Sequence, residues 1–463
     1  MRRRTILALL VLLIGAFALV AAGCGGDDDE GDAAGTEAVE DGEGGGDNEV
    51  EELPSAACQP VEYEGDGEPD VLITSDLPMQ GSSRTQTVQM VEAIRFILTQ
   101  RGWSAGGLDI GYQVCDDSTA QTGQWDTGKC NSNANEYAQN PDVVGVIGTF
   151  NSGCAAIEIP VLNGAPEGGV AIVSPANTYV CLTTVAPACE DTEPDQYYPS
   201  GARNYNRIVA HDAYQAAALA TFMQDLGVES VFVLNDAEAY GLGVAQNLRS
   251  AAEELGIEVA GFARWNEQAP SYEALYTQIE NSGAQAVFLG GLIDENGAKL
   301  IRDKVAVLGP NVADPAEGVV LVAPDGFTTQ ATIDEAGEAA AGMYASVAGV
   351  PADQLTGGGA EFVSSFAEET GAATPLEPYT AYAAQAAEVL LTAIDNSDGS
   401  RASIIEQMLA FETSEGIVAS EFAFDENGDP NIGPVTVYVA EDSFQTEEVI
   451  TPDPALVEAA LGG

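Results

Sequence analysis

Residues 143–178 read VVGVIGTFNSGCAAIEIPVLNGAPEGGVAIVSPANT, and this stretch decides the fold. The apolar run Val143–Ile147 has the length and composition of a strand that is buried on both faces. Gly148 ends the run, and a helical pattern begins near Ser152. A second apolar run, Val170–Val173, then ends in small polar residues. The order strand, helix, strand predicts a βαβ unit, and therefore an α/β fold with a parallel sheet.

Both polar turns of this unit are candidates for binding an anion. Asn151 and Ser152 stand at the start of the helix, and Asn177 and Thr178 follow the second strand. Ligands of parallel sheets collect at the carboxyl ends of the strands, where helix N-termini offer free N–H groups. The competing interpretation of Ser152 and Thr178 is that they are ordinary helix N-caps, which such residues favour in any protein.

Alternating strands and helices continue on both sides of this stretch. One series covers about residues 70–209, and a second series begins near Asp212. In the second series, polar strand ends fall at 235–241, 290–296 and 323–327. Two successive parallel sheets predict a fold of two doubly wound lobes with a cleft between them. Near the end of the chain, the segment 425–430 (DENGDP) predicts the turn of a β-hairpin.

The first residues indicate export. Three arginines precede an apolar run from Ile6 to Ala22, and Gly23-Cys24 follows. This ending is similar to a bacterial lipobox, which implies removal of residues 1–23 and a lipid on Cys24. An anchor helix is the competing interpretation. Residues 24–69 begin with a Gly-rich acidic run and are predicted to be a disordered tether, with residues 446–463 as a C-terminal tail.

Charge and composition exclude several functions. The chain has 73 acidic and 15 basic residues, which gives a net charge of −58. Nucleic acid is not an expected partner, because phosphate contacts need clustered Lys and Arg. The one histidine, His211, stands near no catalytic motif, and no CxxC motif suggests zinc. We therefore expect a protein that is not an enzyme and that uses no metal or other cofactor.

Six cysteines besides Cys24 suggest three disulfides in an oxidising compartment. Cys181 and Cys189 are close enough in sequence to close a small loop. For the others we expect Cys115 to pair with Cys130, and Cys58 with Cys154.

Several motifs in order resemble the type I periplasmic-binding-protein family, and most closely its branched-chain amino acid (Leu/Ile/Val) receptors. The resemblance covers about residues 70–445. It rests on AIRFIL, CDD, VVGVIGTFNSG, SPANT, RIVAHDAYQA, NDAEAYGLG, FLGGLIDENG, PYTAYAAQAAEVL and FDENGD. The family implies two lobes that are joined by three crossovers and close on a ligand. Lobe 1 would comprise residues 70–209 and 341–413, and lobe 2 would comprise residues 210–340 and 414–445.

The resemblance also implies how one end of the ligand is bound. Asn151 and Ser152 match the family's turn that binds the α-carboxylate of the ligand. Asn177 and Thr178 match its second turn, where the Thr178 hydroxyl and backbone N–H groups would complete the carboxylate site.

The resemblance also implies roles for four further residues, in binding the rest of the ligand and in closing the cleft. Glu295 matches the family's acidic residue that takes the α-ammonium group. Tyr240 matches an aromatic residue that closes the cleft from lobe 2, and Asp212 is a possible helper at the hinge. Arg84 stands where the family often has an aromatic residue, which argues against a purely aliphatic ligand. Its alternative role is a salt bridge on an acidic surface.

These observations predict a substrate-binding lipoprotein of an ABC importer. It would be a monomer, held by its lipid on the outer face of the cytoplasmic membrane, and it would deliver an amino acid or related solute to a membrane permease. The alternatives are a sensor that presents its closed form to a membrane receptor, and a protein that binds amides or urea.

Overall fold

The computed structural model describes residues 50–187 and 189–462. The predicted signal segment 1–23, the lipidation site Cys24 and the tether up to residue 49 lie outside the described residues. Within the described part, no helix combines the length and the apolar character needed to cross a membrane.

The first half of the described chain forms lobe 1. Its elements are β1 (Val71–Leu77), α1 (Arg84–Gln100), β2 (Ser104–Ala105), β3 (Leu108–Asp116), α2 (Thr127–Gln139), β4 (Val143–Gly148), α3 (Ser152–Asn163), β5 (Ala171–Ser174) and β6 (Tyr205–Arg207). The strands form a sheet in the order β2-β3-β1-β4-β5-β6, in which only β2 is antiparallel to its neighbour. Strand β4 is central and fully buried, as its uninterrupted apolar sequence requires.

The next elements form lobe 2. They are α4 (Asp212–Asp225), β7 (Ser230–Asn235), α5 (Ala239–Glu254), β8 (Glu258–Arg264), α6 (Glu273–Ser282), β9 (Ala286–Gly290), α7 (Gly297–Leu308), β10 (Val320–Ala323), α8 (Gln330–Ala336) and β11 (Tyr344–Ala348). Their strands are parallel and lie in the order β11-β10-β9-β7-β8.

The remaining elements are shared between the lobes. They are α9 (Gly358–Thr370), α10 (Thr380–Asn396), α11 (Arg401–Leu409), β12 (Glu412–Thr413), β13 (Phe422–Ala423), β14 (Val435–Ala440), β15 (Phe444–Ile450) and α12 (Pro454–Ala460). Helix α10 packs on α1 and on strands of the first sheet. Strands β14 and β15 extend the second sheet in antiparallel pairing, and α12 packs on α4 and α5. Two α/β lobes with a mainly parallel sheet in each confirm the predicted fold class.

Three predicted boundaries are wrong. The predicted return to lobe 1 at residue 341 is too early, because β11 pairs with β10 and β14 of the second sheet. Residues 414–423 stay with lobe 1, where the Ile417 N–H donates to Gln385 of α10 at 2.6 Å. Residues 446–463 are not a tail, since β15 runs to Ile450 and α12 follows.

The predicted tether also ends earlier than residue 69. Leu53 is buried, and its N–H donates to the Gln113 side chain at 2.8 Å. Glu62 bridges to Tyr112 of β3, and Cys58 forms a disulfide with Cys115 at the end of the same strand. The apolar residues and the cysteine of this segment allow it to pack on lobe 1.

The six cysteines other than Cys24 all form disulfides. Cys181 pairs with Cys189, as predicted. The other two predicted pairs are wrong: the structure joins Cys58 to Cys115, and Cys130 to Cys154. The second of these bonds ties the start of α2 to the start of α3.

The predicted hairpin turn at residues 425–430 is confirmed, since Phe424 and Pro430 form an antiparallel bridge across it. The tight turn is present, with the Asp425 N–H donating to the Asp429 carbonyl at 2.8 Å. However, β13 pairs with β12, and β14 pairs with β11 and β15. The turn also places the Asp429 carboxylate 2.6 Å from the guanidinium of Arg207, a fully buried ion pair beside the crossover into lobe 2.

Candidate functional site

A cleft opens where the strand ends of the two lobes face each other. Strand–helix junctions supply its walls, because parallel strands direct their carboxyl ends to one edge of a sheet. Lobe 1 contributes Trp125, Phe150, Asn151, Ser152, Gly153, Ala176, Thr178 and Tyr379, and lobe 2 contributes Glu238, Tyr240, Leu292, Asp325 and Gly326. Of the eight predicted ligand-binding residues, four line the cleft: Asn151, Ser152, Thr178 and Tyr240.

The N-terminus of α3 forms one wall of the cleft. Asn151 is the residue before the helix, has an extended backbone, and makes no side-chain cap. The Ser152 hydroxyl accepts a hydrogen bond from the Tyr179 N–H at 3.3 Å, which ties the two polar turns together. The first N–H groups of a helix have no acceptor within the helix. Ser152 and Gly153 therefore present donors to the cleft, and Thr178 lies beside them in the same wall.

Asn177 is buried but does not line the cleft. Its amide nitrogen donates to the carbonyl oxygens of Thr149 and Phe150 at 2.9 and 3.0 Å. Its amide oxygen accepts from the Tyr205 hydroxyl at 3.2 Å. The first two contacts join the two polar turns of lobe 1 and the third joins them to β6, so the structure places Asn177 as a brace behind the cleft wall.

Asp325 is an acidic group in the lobe 2 wall of the cleft. It follows β10, and its carboxylate accepts hydrogen bonds from Tyr240 (2.5 Å), Tyr379 (2.7 Å) and Gln215 (2.8 Å). Burial raises the pKa of Asp325, while these three donors oppose that rise. From the sequence, residues 323–327 are predicted only as a polar strand end, with no binding residue among them. The available signal was a carboxylate at the end of a buried strand.

Tyr240 lies in the cleft wall as predicted, with two hydrogen bonds that fix its ring. Its hydroxyl donates to Asp325 and accepts the Gly326 N–H at 3.1 Å. Tyr379, at the start of α10, makes the matching contact to Asp325 from lobe 1. The Asp325 carboxylate therefore accepts a hydrogen bond from one tyrosine hydroxyl of each lobe.

Asp212 lies behind the cleft, at the start of α4. The Gln215 amide donates to Asp212 at 3.3 Å and to Asp325 at 2.8 Å, and so connects the two carboxyl groups. The other carboxylate oxygen of Asp212 is buried and has no hydrogen-bond partner among the described residues. Burial, and then the nearby charge of Asp325, raise the pKa of Asp212 well above its usual range.

Glu295 does not line the cleft. Its carboxylate accepts a hydrogen bond from the Gln124 amide at 2.7 Å, which links the two lobes beside the cleft. A similar link joins the Ser83 hydroxyl of lobe 1 to Asp294 at 3.2 Å. These contacts, together with the bond from Tyr379 to Asp325, hold the lobes in a closed arrangement.

Arg84 is exposed at the start of α1, does not line the cleft, and forms no ion pair with any described residue. Neither of the two roles considered for it from the sequence has a contact that supports it.

Comparisons with known proteins agree on one family. A family model described as "Periplasmic binding protein" matches residues 77–444. A Brucella abortus protein named "Leu/Ile/Val-binding protein homolog 1" is 24% identical over 382 residues, which cover 82% of this chain and 92% of that protein.

Solved structures share the fold. A leucine-binding protein from Thermotoga maritima matches with a TM-score of 0.68 and 22% identity, over 82% of this chain and 99% of that one. A solute-binding protein of an ABC transporter from R. palustris, solved in complex with benzoate, matches with a TM-score of 0.64 and 16% identity, over 82% of this chain and 96% of that one.

Proposed function

Because this chain belongs to the periplasmic binding protein family, we propose that it binds an α-amino acid between its two lobes and delivers it to an ABC importer. One observation carries the proposal: the cleft has donors on one wall and a partly buried carboxylate on the other. A zwitterionic α-amino acid has a matching anionic and cationic end. The Brucella relative, which is named for binding Leu, Ile and Val, supports the same class of ligand.

The carboxylate of the ligand would bind at the N-terminus of α3. Ser152 and Gly153 offer backbone N–H groups there, and the Ser152 and Thr178 hydroxyls lie in the same wall. A helix N-terminus favours an anion both through these free N–H groups and through the helix dipole. Hydrogen bonds to an ionised group are stronger than those between neutral groups, so this end would orient the ligand.

The ammonium group would bind at Asp325. This carboxylate is partly buried and is held from its own lobe by Tyr240 and Gln215, so it need not be reoriented when a ligand arrives. Tyr379 adds its hydrogen bond from lobe 1 when the lobes close. A cation placed beside Asp325 would offset the cost of its burial. We assign to Asp325 the role that the sequence analysis gave to Glu295.

Closure of the lobes would complete the site. The cleft encloses only about 30 Å³ in the closed arrangement, so a ligand must enter while the lobes are apart. Ligand bound to both walls would then favour the closed state, since it interacts with that state more strongly than with the open one. Gln124–Glu295, Ser83–Asp294 and Tyr379–Asp325 are among the contacts that would form on closure.

The location of the protein follows from the same proposal. Cys24 would carry a lipid that holds the protein, as a monomer, on the outer face of the cytoplasmic membrane. The acidic segment after it would then give the two lobes enough reach to meet the permease.

Isothermal calorimetry with matched ligand sets tests the proposal. The protein is titrated with the common α-amino acids, and then with the best ligand in two altered forms: its α-carboxamide and its deaminated acid. We expect both alterations to weaken binding strongly, because each removes one charged end.

Amides, urea and benzoate complete the panel. Benzoate is included because Trp125, Phe150, Tyr240 and Tyr379 make the cleft aromatic, as expected for a protein that binds aromatic acids. Binding of benzoate without any amino acid binding would contradict the amino acid proposal.

A further inference from the structure

Glu238 is a second carboxyl group in the wall of the cleft. It is the residue before α5 and lies in the lobe 2 wall with Tyr240 and Asp325. Its side chain is partly buried. Burial, and then repulsion from Glu295 and Glu267, raise the pKa of Glu238 to about 7. The proposed function uses Asp325 and leaves this carboxyl group without a role.

Trp125 and Glu238 both approach Gly153 at the start of α3. A Cβ atom placed on Gly153 would lie 3.5 Å from Glu238 Oε2 and 2.6 Å from two ring atoms of Trp125. The carboxyl group of lobe 2 and the indole of lobe 1 therefore meet at the same residue of α3. A carboxylate and an aromatic ring that approach the same point are a favourable environment for a cation, through charge and through the quadrupole of the ring.

The protein supplies no cation for this position. Among the described residues that line the cleft, none is Lys, Arg or His. The Glu238 carboxyl accepts no hydrogen bond from a described residue, although its backbone N–H donates to Asp236 at 2.9 Å. A ligand that brings only an α-ammonium group balances Asp325, and its own carboxylate adds a further negative charge to a cleft that still contains Glu238.

We infer that the ligand carries a second cationic group on its side chain, as lysine, ornithine and arginine do, and that Glu238 and Trp125 bind this group. The inference rests on the proposed function, which places the α-carboxylate at α3 and the α-ammonium at Asp325. In this arrangement Glu238 determines specificity, and neutral aliphatic amino acids bind more weakly because closure buries an unpaired carboxylate.

A pair of nearly isosteric ligands tests the inference. Lysine and norleucine have the same carbon chain and differ in the terminal ammonium group. We expect calorimetry at pH 8 to give a dissociation constant for lysine that is at least about tenfold lower than that for norleucine, as expected for a charge-assisted hydrogen bond. Glu238→Gln should reduce this difference to less than about threefold. The reduction should come from weaker binding of lysine and not only from tighter binding of norleucine.

Glu267→Gln is the matched control. Glu267 also repels Glu238, but it is exposed and does not line the cleft. The control should keep most of the preference for lysine. Equal or tighter binding of norleucine or leucine by the unmodified protein would overturn the inference and leave the proposed function intact. If no α-amino acid binds at all, the proposed function itself fails, and the inference fails with it.

Discussion

Asp325 and Asp117 are both carboxyl groups that follow a strand and are shielded from solvent, Asp117 fully and Asp325 partly, but their surroundings differ. Asp325 faces the cleft and accepts three hydrogen bonds, two of them from tyrosine hydroxyls. Asp117 lies inside lobe 1, and neither of its carboxylate oxygens has a partner among the described residues. Burial is common to both, so burial alone does not distinguish a binding group from an internal one. The donors aimed at Asp325 make the difference.

Asp117 belongs to a group of three carboxyls that we call the lobe 1 acid cluster: Asp76, Asp117 and Glu158. All three are fully buried. The Asn133 amide donates to both oxygens of Asp76, at 3.1 and 3.2 Å. Burial, and then the charge of Asp76, raise the pKa values of Asp117 and Glu158 well above their usual range. Burial and mutual repulsion therefore favour the protonated forms in this cluster, whereas three hydrogen-bond donors favour the charged form of Asp325.

The largest effect is expected at a buried carboxylate whose partner is a cation. Asp429→Asn leaves the fully buried guanidinium of Arg207 without its counter-charge, so the unfolding free energy should fall by about 3–5 kcal/mol in urea titrations. Glu62→Gln is the matched control, since Glu62 pairs with Arg95 at 2.6 Å in a partly exposed position. That variant should lose less than about 1 kcal/mol. Similar losses in both variants would show that burial does not determine how much each ion pair contributes to the unfolding free energy.

In the lobe 1 acid cluster, the removal of a carboxyl group that can ionise should stabilise the protein rather than destabilise it. Its folded pKa values are raised, so the stability that it contributes is fully present below the unfolded carboxyl pKa of about 4 and is lost as the pH rises toward the folded values. Unfolding free energies should therefore fall between pH 5 and pH 8. Asp117→Asn cannot ionise, and it should be more stable than the unmodified protein at pH 8 by about 1–3 kcal/mol. The gain should shrink at pH 5. Equal gains at both pH values would show that ionisation is not the cause.

A smaller effect is expected from the contact that joins the lobes beside the cleft. Gln124→Ala removes the hydrogen bond to Glu295 and should weaken ligand binding by about 0.5–1.5 kcal/mol, which calorimetry resolves. The unfolding free energy should hardly change, because the contact exists only between closed lobes. Gln121→Ala, in the same loop but exposed, serves as the control and should bind like the unmodified protein. An unchanged affinity for Gln124→Ala would exclude this contact from closure.

The smallest effect is expected for Arg84. Its side chain is exposed and pairs with no described residue, so Arg84→Ala should change neither affinity nor unfolding free energy by more than about 0.5 kcal/mol. A larger loss of affinity would restore the ligand-contact role considered from the sequence.

The fold could be predicted because its signals are local. A βαβ unit is predicted directly by the apolar run of β4, by the glycine that ends it and by the start of a helix after it. The disulfide partners and the end of the tether could not be predicted in the same way. They depend on Cys58 and Leu53 reaching β3, more than fifty residues further along the chain.

The site was only partly predictable for a similar reason. Ser152 and Thr178 follow strands whose ends must face the cleft. Glu295 and Asp325 follow neighbouring strands, β9 and β10, and the sequence gives both the same polar context. Which of the two faces the cleft depends on the turns after these strands, where Glu295 meets Gln124 and Asp325 meets Tyr240 and Tyr379. Asn177 likewise turns inward to brace Thr149 and Phe150.

The central claim is that Asp325, and not Glu295, binds the amino group of the ligand. Calorimetry of Asp325→Asn beside Glu295→Gln, with the best α-amino acid from the panel, tests it most directly. Removing the buried charged partner of an ion pair costs about 2–5 kcal/mol, so Asp325→Asn should weaken binding by at least about thirtyfold. Glu295→Gln should weaken it by less than about tenfold, as expected for one hydrogen bond between the lobes. Loss of binding in Glu295→Gln with near-normal affinity in Asp325→Asn would contradict the account.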